Sequence, residues 1–156
     1  MTATSRQQHR ANLKPQAIRV KDELLYAVPI KGYPGYMAST CGRIISFVSH
    51  YNGQGKRFRA EPRILQPQER HSGYKKVTIT TKTGGRAQLA VHRLIALAYF
   101  EQDSYDSKGL KRTHVNHING NPSDNRLLNL ELVTPAENSE WSRILKQADE
   151  ERKDAA

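Results

Sequence analysis

The sequence predicts an α+β protein in which a small antiparallel β-lobe precedes a strand–loop–strand–helix unit. Short apolar segments from Leu24 onward are separated by turn residues such as Gly32 and Pro34-Gly35, a pattern typical of antiparallel strands. One compact apolar run, 94–100, has the length of a short buried helix. A helix-start signal follows two strand-like segments near the C-terminus, which predicts the final unit.

The β-lobe is expected over residues 22–91. Residues 1–21 before it are polar and basic, with no sustained periodicity, and we expect a flexible tail there. Two short strands are predicted at Tyr36–Ser39 and Arg43–Val48, followed by a loop over 49–62.

A second strand pair is predicted after that loop. In "YKKVTIT" (74–80), Val77 and Ile79 alternate with polar residues, as in a strand with one buried face. "TKTGGR" then supplies a Gly-Gly hairpin turn, and "AQLAV" (87–91) returns.

The unit at 92–146 starts with a predicted helix at 92–100, which we expect to join the lobe to the strands that follow. The last helix should begin near Pro135, because Thr134 suits the N-cap and Glu137 completes a capping box. Residues 147–156 are expected to form a charged C-terminal tail that continues this helix and frays.

The charge distribution favours a polyanionic partner. The chain has 25 Lys and Arg against 15 Asp and Glu, a formal net charge of +10. Ten of these basic residues lie between Lys56 and Arg93, opposed only by Glu61 and Glu69. They fall on predicted strands and loops and not on one face of an amphipathic helix, so nucleic acid is favoured over a membrane surface. The candidate nucleic-acid-binding residues are Lys56, Arg57, Arg59, Arg63, Lys75, Lys76, Arg86 and Arg126.

Several classes of protein are disfavoured. The longest apolar run is well short of the roughly 20 residues that a bilayer core requires, and the N-terminus lacks the apolar segment of a secretory signal. The single cysteine, Cys41, excludes an intramolecular disulfide and a thiolate metal site, and we expect it to be a small buried group. A cytoplasmic protein is expected, and the sequence leaves monomer or dimer open.

Residues 114–138 contain six asparagines in 25 positions, more amides than a core or a plain surface requires. Asn116 and His117 are adjacent on a predicted strand and should point to opposite sides. Asn138 lies in the first turn of the helix expected to cross the hairpin. A cation near the helix start would be within reach of Asn116 and Asn138, and oxygen ligands favour Mg²⁺ or Mn²⁺.

These residues carry a family resemblance. The stretch "VNHINGNPSDNRLLNLELVTPAEN" closely resembles the HNH endonucleases of the phage and intron-encoded homing type, and "VHRLIALAYF" resembles the segment that precedes their motif. "IKGYPGYMASTCGRIISF" looks like the N-terminal β-module that accompanies such nucleases. The resemblance covers about residues 24–146 and implies the ββα-metal fold, also known as the His-Me finger. It also implies a prokaryotic or phage-infected cell as the setting.

The resemblance also implies roles for single residues. His117 matches the general base, and Asn116 and Asn138 match the protein ligands of one divalent cation. Asn129 matches the asparagine that clamps the loop of the catalytic motif. Many relatives carry Asp at the position of Asn116; because an amide has no charge, we expect cation binding here to depend strongly on substrate.

The predicted function is therefore a metal-dependent endonuclease that nicks or cuts duplex DNA. The alternative is a catalytically degenerate DNA-binding protein of the same fold. A basic RNA-associated protein would explain the charge but not the motif.

Overall fold

The computed structural model describes residues 13–51, 54–100, 102, 105–106 and 108–154. Within them, antiparallel strands form sheets of five, three and two strands, and two α-helices accompany them. The five-stranded sheet contains β1 (Gln16–Val20), β2 (Glu23–Pro29), β3 (Tyr36–Ser39), β4 (Ile44–Tyr51) and β5 (Lys56–Ile64). The other elements are β6 (Gln68–Glu69), β7 (Lys75–Thr80), β8 (Arg86–Ala90), α1 (Val91–Tyr99), β9 (His114–His117), a 3₁₀ turn (Leu127–Asn129), β10 (Leu130–Val133) and α2 (Pro135–Asp154).

Helix α1 lies at the centre of the main core. The core contains Ile44 from the five-stranded sheet, Ile79 from β7, Ile95 from α1 and Leu130 from β10, each almost fully buried. The Tyr99 hydroxyl of α1 also donates a hydrogen bond of 2.8 Å to the carbonyl oxygen of Ala38. The three sheets therefore share one apolar interior and support each other through α1.

The five-stranded sheet has a second apolar cluster on its other face, formed by Val20, Leu25, Ala27, Met37 and Ile45. Neighbours in sequence belong to the main core, for example Ile44 beside Ile45. This alternation follows from the two-residue period of a strand, so the sheet buries apolar side chains on both faces.

The α+β fold class is confirmed, as are several individual elements. Strand Tyr36–Ser39 has the predicted bounds, the β7–β8 hairpin turns at the Gly-Gly pair, and α1 lies within one residue of the predicted helix. The capping box is present: the backbone N–H of Glu137 donates to Thr134 Oγ1 at 3.2 Å, and Glu137 Oε2 accepts from the backbone N–H of Thr134 at 2.8 Å.

Two predictions about the N-terminal half were wrong. Residues 16–20 form strand β1, paired with β2, whereas a tail was expected through residue 21; residues 1–12 lie outside the described part of the chain. Residues 56–64 form strand β5, within the expected 49–62 loop and just beyond it. Strands β1 and β5 lie at the two edges of the five-stranded sheet and are held by main-chain pairing. Register shifts between β4 and β5 disturb the alternation of apolar and polar residues that would have indicated β5.

Helix α2 continues to Asp154, in agreement with the expected charged continuation of the helix, and its salt-bridged polar surface, including the Arg152–Asp149 pair, is compatible with helix. One further expectation was wrong. Cys41 is exposed, since it lies in the turn between β3 and β4 and not on a strand facing the core.

The β3–β4 turn supports the loop that precedes β10. The backbone N–H of Leu127 donates to the carbonyl oxygen of Thr40 at 2.9 Å. Gly42 has a φ of +84°, and a Cβ atom there would lie 2.5 Å from the backbone carbonyl carbon of Asn125. Glycine is therefore required at 42 by its backbone conformation and by the close approach of the loop.

Replacing Gly42 with alanine should destabilise the protein more than the same change at Gly32. Both glycines have positive φ, but a Cβ at Gly32 would meet no atom within 4 Å. We expect a loss of about 1 kcal/mol for Gly32→Ala from backbone strain and at least about 2 kcal/mol for Gly42→Ala, which must also displace the loop. Urea unfolding of the three proteins measures this, and equal losses for the two variants would show that the loop contact is unimportant.

Candidate active site

The pairing of β9 with β10 places Asn116 and His117 on opposite faces of the hairpin. Asn116 lies opposite Glu131, and His117 lies opposite Leu130. Because side chains alternate along a strand, His117 faces the main core with Leu130, and Asn116 shares the other face with Glu131. Helix α2 contacts both strands of this hairpin, and the two faces give Asn116 and His117 different surroundings.

His117 is held by one asparagine of the loop. Its Nε2 lies 3.2 Å from Asn125 Oδ1, and Asn125 Nδ2 donates to the carbonyl oxygen of Ser123 at 3.4 Å, which fixes the orientation of the amide. Since Oδ1 only accepts hydrogen bonds, Nε2 must carry a proton. The neutral imidazole therefore has its lone pair on Nδ1.

Two aromatic rings surround His117. The ring centroid of His92 is 5.2 Å away in an edge-to-face arrangement, and that of Tyr74 is 5.8 Å away. Tyr74 and His92 are themselves 5.1 Å apart. We call Tyr74, His92 and His117 the ring cluster; it brings together β9, α1 and the residue before β7.

Burial keeps both histidines of the ring cluster neutral near pH 7. It lowers the pKa of His92 to about 4, with smaller electrostatic contributions from His117 and Arg93. It also lowers the pKa of His117, while the hydrogen bond to Asn125 and the charge of Asp124 act in the opposite direction. A neutral imidazole is the form that accepts a proton.

Asn129 ties the two ends of the loop together. Its Oδ1 accepts from the backbone N–H of Asn119 at 2.9 Å, and its Nδ2 donates to Asn119 Oδ1 at 2.9 Å and to the Asp124 carbonyl oxygen at 2.8 Å. Arg126 pairs with Asp124 at 2.6 Å, and this contact holds the Asp124 pKa at about 2. These contacts fix the loop that carries Asn125.

Asn138 lines an open cleft of about 940 Å³. His114 and Val115, which precede Asn116 on β9, line the same cleft, as do Tyr74 and His92 of the ring cluster. Asn116 and His117 themselves are buried, with exposures of 8% and 5%. Asn116 Nδ2 donates a hydrogen bond of 2.9 Å to Glu131 Oε1.

The donor set fits a hard divalent cation. Among the described residues, no three His, Cys, Asp or Glu side chains form a metal-binding group, which disfavours a zinc site built from such ligands. The side-chain oxygens of Asn116 and Asn138 suit Mg²⁺ or Mn²⁺, which keep several waters and take further oxygens from a phosphate substrate.

The structure distributes the candidate DNA-binding residues over several surfaces. Lys76 lines the cleft of Asn138, and Lys75 lies on the same strand. Arg57, Arg63 and Arg86 are exposed, Arg59 is half-buried, and the exposed Arg126 is paired with Asp124. The side chain of Lys56 lies outside the described part of the molecule.

Sequence reasoning missed two contacts. Asn125 is the hydrogen-bond partner of His117, a contact that no local sequence pattern indicates. Glu131 received no role, although a charged residue inside the apolar segment "LLNLELVT" is itself a signal, because a buried carboxylate needs a partner. Within the described residues, the buried Nδ1 of His92 has no hydrogen-bond partner.

Residues 108–140 match the family model described as HNH endonuclease. The matched segment contains β9, the loop, β10 and the first turn of α2, which together carry Asn116, His117, Asn129 and Asn138. Over these residues the chain is similar to the HNH endonucleases. The HNH motif therefore coincides with the structural unit that holds the candidate site.

Relatives extend the similarity beyond the HNH motif. The uncharacterized HNH endonuclease L247 of Acanthamoeba polyphaga mimivirus is 34% identical over 118 residues, 76% of this chain and 25% of that protein. The SPbeta prophage-derived putative HNH homing endonuclease YosQ of Bacillus subtilis is 43% identical over 67 residues, 43% of this chain and 35% of that protein. The chain thus spans about a quarter to a third of the length of these relatives.

A solved structure has a similar fold. It is described as DNA binding and cleavage by the HNH homing endonuclease I-HmuI, and it matches with a TM-score of 0.52 and 29% identity over 81% of this chain and 66% of that chain. In the described part of the present chain, neither helix has the length and apolar character needed to cross a bilayer.

Asn125→Ala should lower the pKa of His117 further. The amide oxygen stabilises the protonated ring through the hydrogen bond from Nε2, so its removal favours the neutral form. NMR titration of the histidine ring protons measures this shift. Asn121→Ala is the matched control, since Asn121 Oδ1 accepts from the backbone of Ser123; a His117 pKa that is the same in wild type and Asn125→Ala would contradict the assignment.

Proposed function

We propose that this protein is a metal-dependent HNH endonuclease that hydrolyses phosphodiester bonds of duplex DNA. The observation that carries the proposal is the arrangement of His117 in the HNH motif, where Asn125 holds Nε2 and leaves Nδ1 to accept a proton. The similar I-HmuI structure is described as one of DNA binding and cleavage, which supports the same substrate class.

His117 acts as the general base in this proposal. Nδ1 takes a proton from a water molecule, the water oxygen attacks the scissile phosphorus, and the bond to the leaving 3′ oxygen breaks. The lowered pKa keeps the imidazole neutral at physiological pH, and a base of this kind contributes about 10² to 10⁴-fold to the rate. Tyr74 and His92 pack against the ring and limit its rotation.

Asn116 and Asn138 hold the divalent cation, Mg²⁺ or Mn²⁺, through their side-chain oxygens. The bound cation supplies electrostatic stabilisation of the charge that develops on the phosphate and on the leaving oxygen. Asn129 has a structural role: its three hydrogen bonds keep the loop, and with it Asn125, in place.

The basic residues position the DNA. Lys76 and Arg93 line the cleft that contains Asn138, so a phosphate in this cleft would lie close to both positively charged side chains. Arg57, Arg63 and Arg86 provide exposed positive charge for the flanking backbone. Contacts of this kind are largely independent of base sequence and are weakened by salt.

Replacing His117 with alanine should abolish most nicking of supercoiled plasmid. We expect the wild-type protein to nick in Mg²⁺ or Mn²⁺ and not in EDTA, and His117→Ala to be slower by about 10² to 10⁴-fold. DNA affinity should be retained, because the variant removes no positive charge at neutral pH. His71→Ala, at an exposed histidine between β6 and β7, is the control and should nick at the wild-type rate.

Two results would contradict the proposed nuclease function. If the wild-type protein binds DNA but shows no metal-dependent nicking, the chain is a catalytically degenerate DNA-binding protein of the same fold. If His117→Ala nicks as fast as wild type, another group must be the base.

Lys76→Gln should lower the salt dependence of DNA binding. Removal of one phosphate contact reduces the slope of log affinity against log salt concentration by about one. Fluorescence anisotropy with a labelled duplex over a range of KCl concentrations measures the slope. Arg152→Gln, at the far end of α2 where the Arg152 side chain is 80% exposed, is the matched control, and equal slopes for wild type and Lys76→Gln would exclude Lys76 from the interface.

A further inference from the structure

Glu131 is a buried carboxylate next to a proposed metal ligand. It lies directly opposite Asn116 in the β9–β10 register, and both residues are 8% exposed. Its Oε1 accepts the 2.9 Å hydrogen bond from Asn116 Nδ2. Burial of a carboxylate is costly unless hydrogen bonds or a nearby cation compensate it, and the Asn116 amide provides one such hydrogen bond.

The hydrogen bond determines which atom of the Asn116 amide is available to a cation. A carboxylate only accepts hydrogen bonds, so it binds the NH₂ group and excludes the flipped amide. Oδ1 is thereby directed away from Glu131, and Oδ1 is the amide atom that coordinates a hard cation. The carboxylate also polarises the amide and increases the negative charge on Oδ1.

Glu131 also supplies negative charge that the two amide ligands lack. Asn116 and Asn138 are neutral, and among the described residues no group of three His, Cys, Asp or Glu side chains provides an anionic metal cage. A carboxylate hydrogen-bonded to a ligand lowers the electrostatic free energy of a divalent ion at that ligand, and partners of this kind commonly change metal affinity by about 10 to 100-fold.

We propose that Glu131 is a positioning residue for the cation, one that orients the Asn116 amide and contributes the charge absent from the ligands. This inference rests on the proposed function, since it concerns the same cation. The pair Asn116–Glu131 performs jointly what a single aspartate at position 116 would perform alone.

The experiment measures Mn²⁺ binding to the full chain, with and without a short DNA duplex, from the EPR signal of free Mn²⁺. Glu131→Gln keeps the side-chain volume and removes the charge, and its amide can pair with either orientation of Asn116. We expect a 10 to 100-fold weaker Mn²⁺ affinity. Glu140→Gln, on the exposed surface of α2, makes the same chemical change away from the site and should leave the affinity unchanged.

The charge-swapped double variant Asn116→Asp with Glu131→Gln separates positioning from folding. It returns one carboxylate and one amide to the pair, with the carboxylate now on β9, and should restore Mn²⁺ affinity to at least the wild-type value. In nicking assays, Glu131→Gln should need 10 to 100-fold more Mg²⁺ for the half-maximal rate while largely retaining the rate at saturating Mg²⁺. A variant that had merely lost its fold would not recover with added metal.

The possible results distinguish this inference from the proposed function. If wild type and Glu131→Gln bind Mn²⁺ equally while wild-type nicking depends on metal, the nuclease stands and the role of Glu131 is wrong. Failure of the double variant to recover Mn²⁺ affinity would also overturn the role of Glu131. If the wild-type chain binds no Mn²⁺ with or without duplex, the metal-dependent function fails and Glu131 loses its proposed role with it.

Discussion

The register of the β9–β10 hairpin is the constraint on which the candidate site depends. With His117 opposite Leu130, the imidazole faces the main core, and with Asn116 opposite Glu131, the amide faces the other side. A shift by one residue would exchange the two faces and put the imidazole where the amide now lies. The apolar residues Leu130 and Leu132, both buried in the main core, strongly oppose such a shift.

The loop between β9 and β10 must have a single fixed conformation, because it carries the partner of His117. It places Asn125 against His117, and its shape is held by side chains that pair within the loop, above all Asn129 with Asn119 and Asp124. The asparagine-rich composition thus has a physical explanation. Amide side chains both donate and accept, so they satisfy backbone groups that a short irregular loop leaves without partners.

Features encoded by neighbouring residues could be predicted from the sequence, whereas features that depend on long-range contacts could not. The start of α2 and the β7–β8 turn were predicted because nearby residues encode them: Thr134 with Glu137, and the Gly-Gly pair. Strands β1 and β5 were missed because their stability comes from main-chain pairing with neighbouring strands. The contact of His117 with Asn125 was missed for a similar reason, since the path of the loop, and not a local pattern, brings the two together.

Because the β3–β4 turn contacts the loop that carries Asn125, the HNH motif does not form a self-contained structural unit. Thr40 and Gly42 support that loop from a different sheet, and the hairpin rests on a core that it shares with α1. An isolated segment 108–140 would expose Leu130 and Leu132. It would also lose the contacts from Thr40 and Gly42 that support the loop of Asn125. Any exchange of the N-terminal sheet must therefore preserve this turn, because a change there would displace the loop that holds the proposed general base.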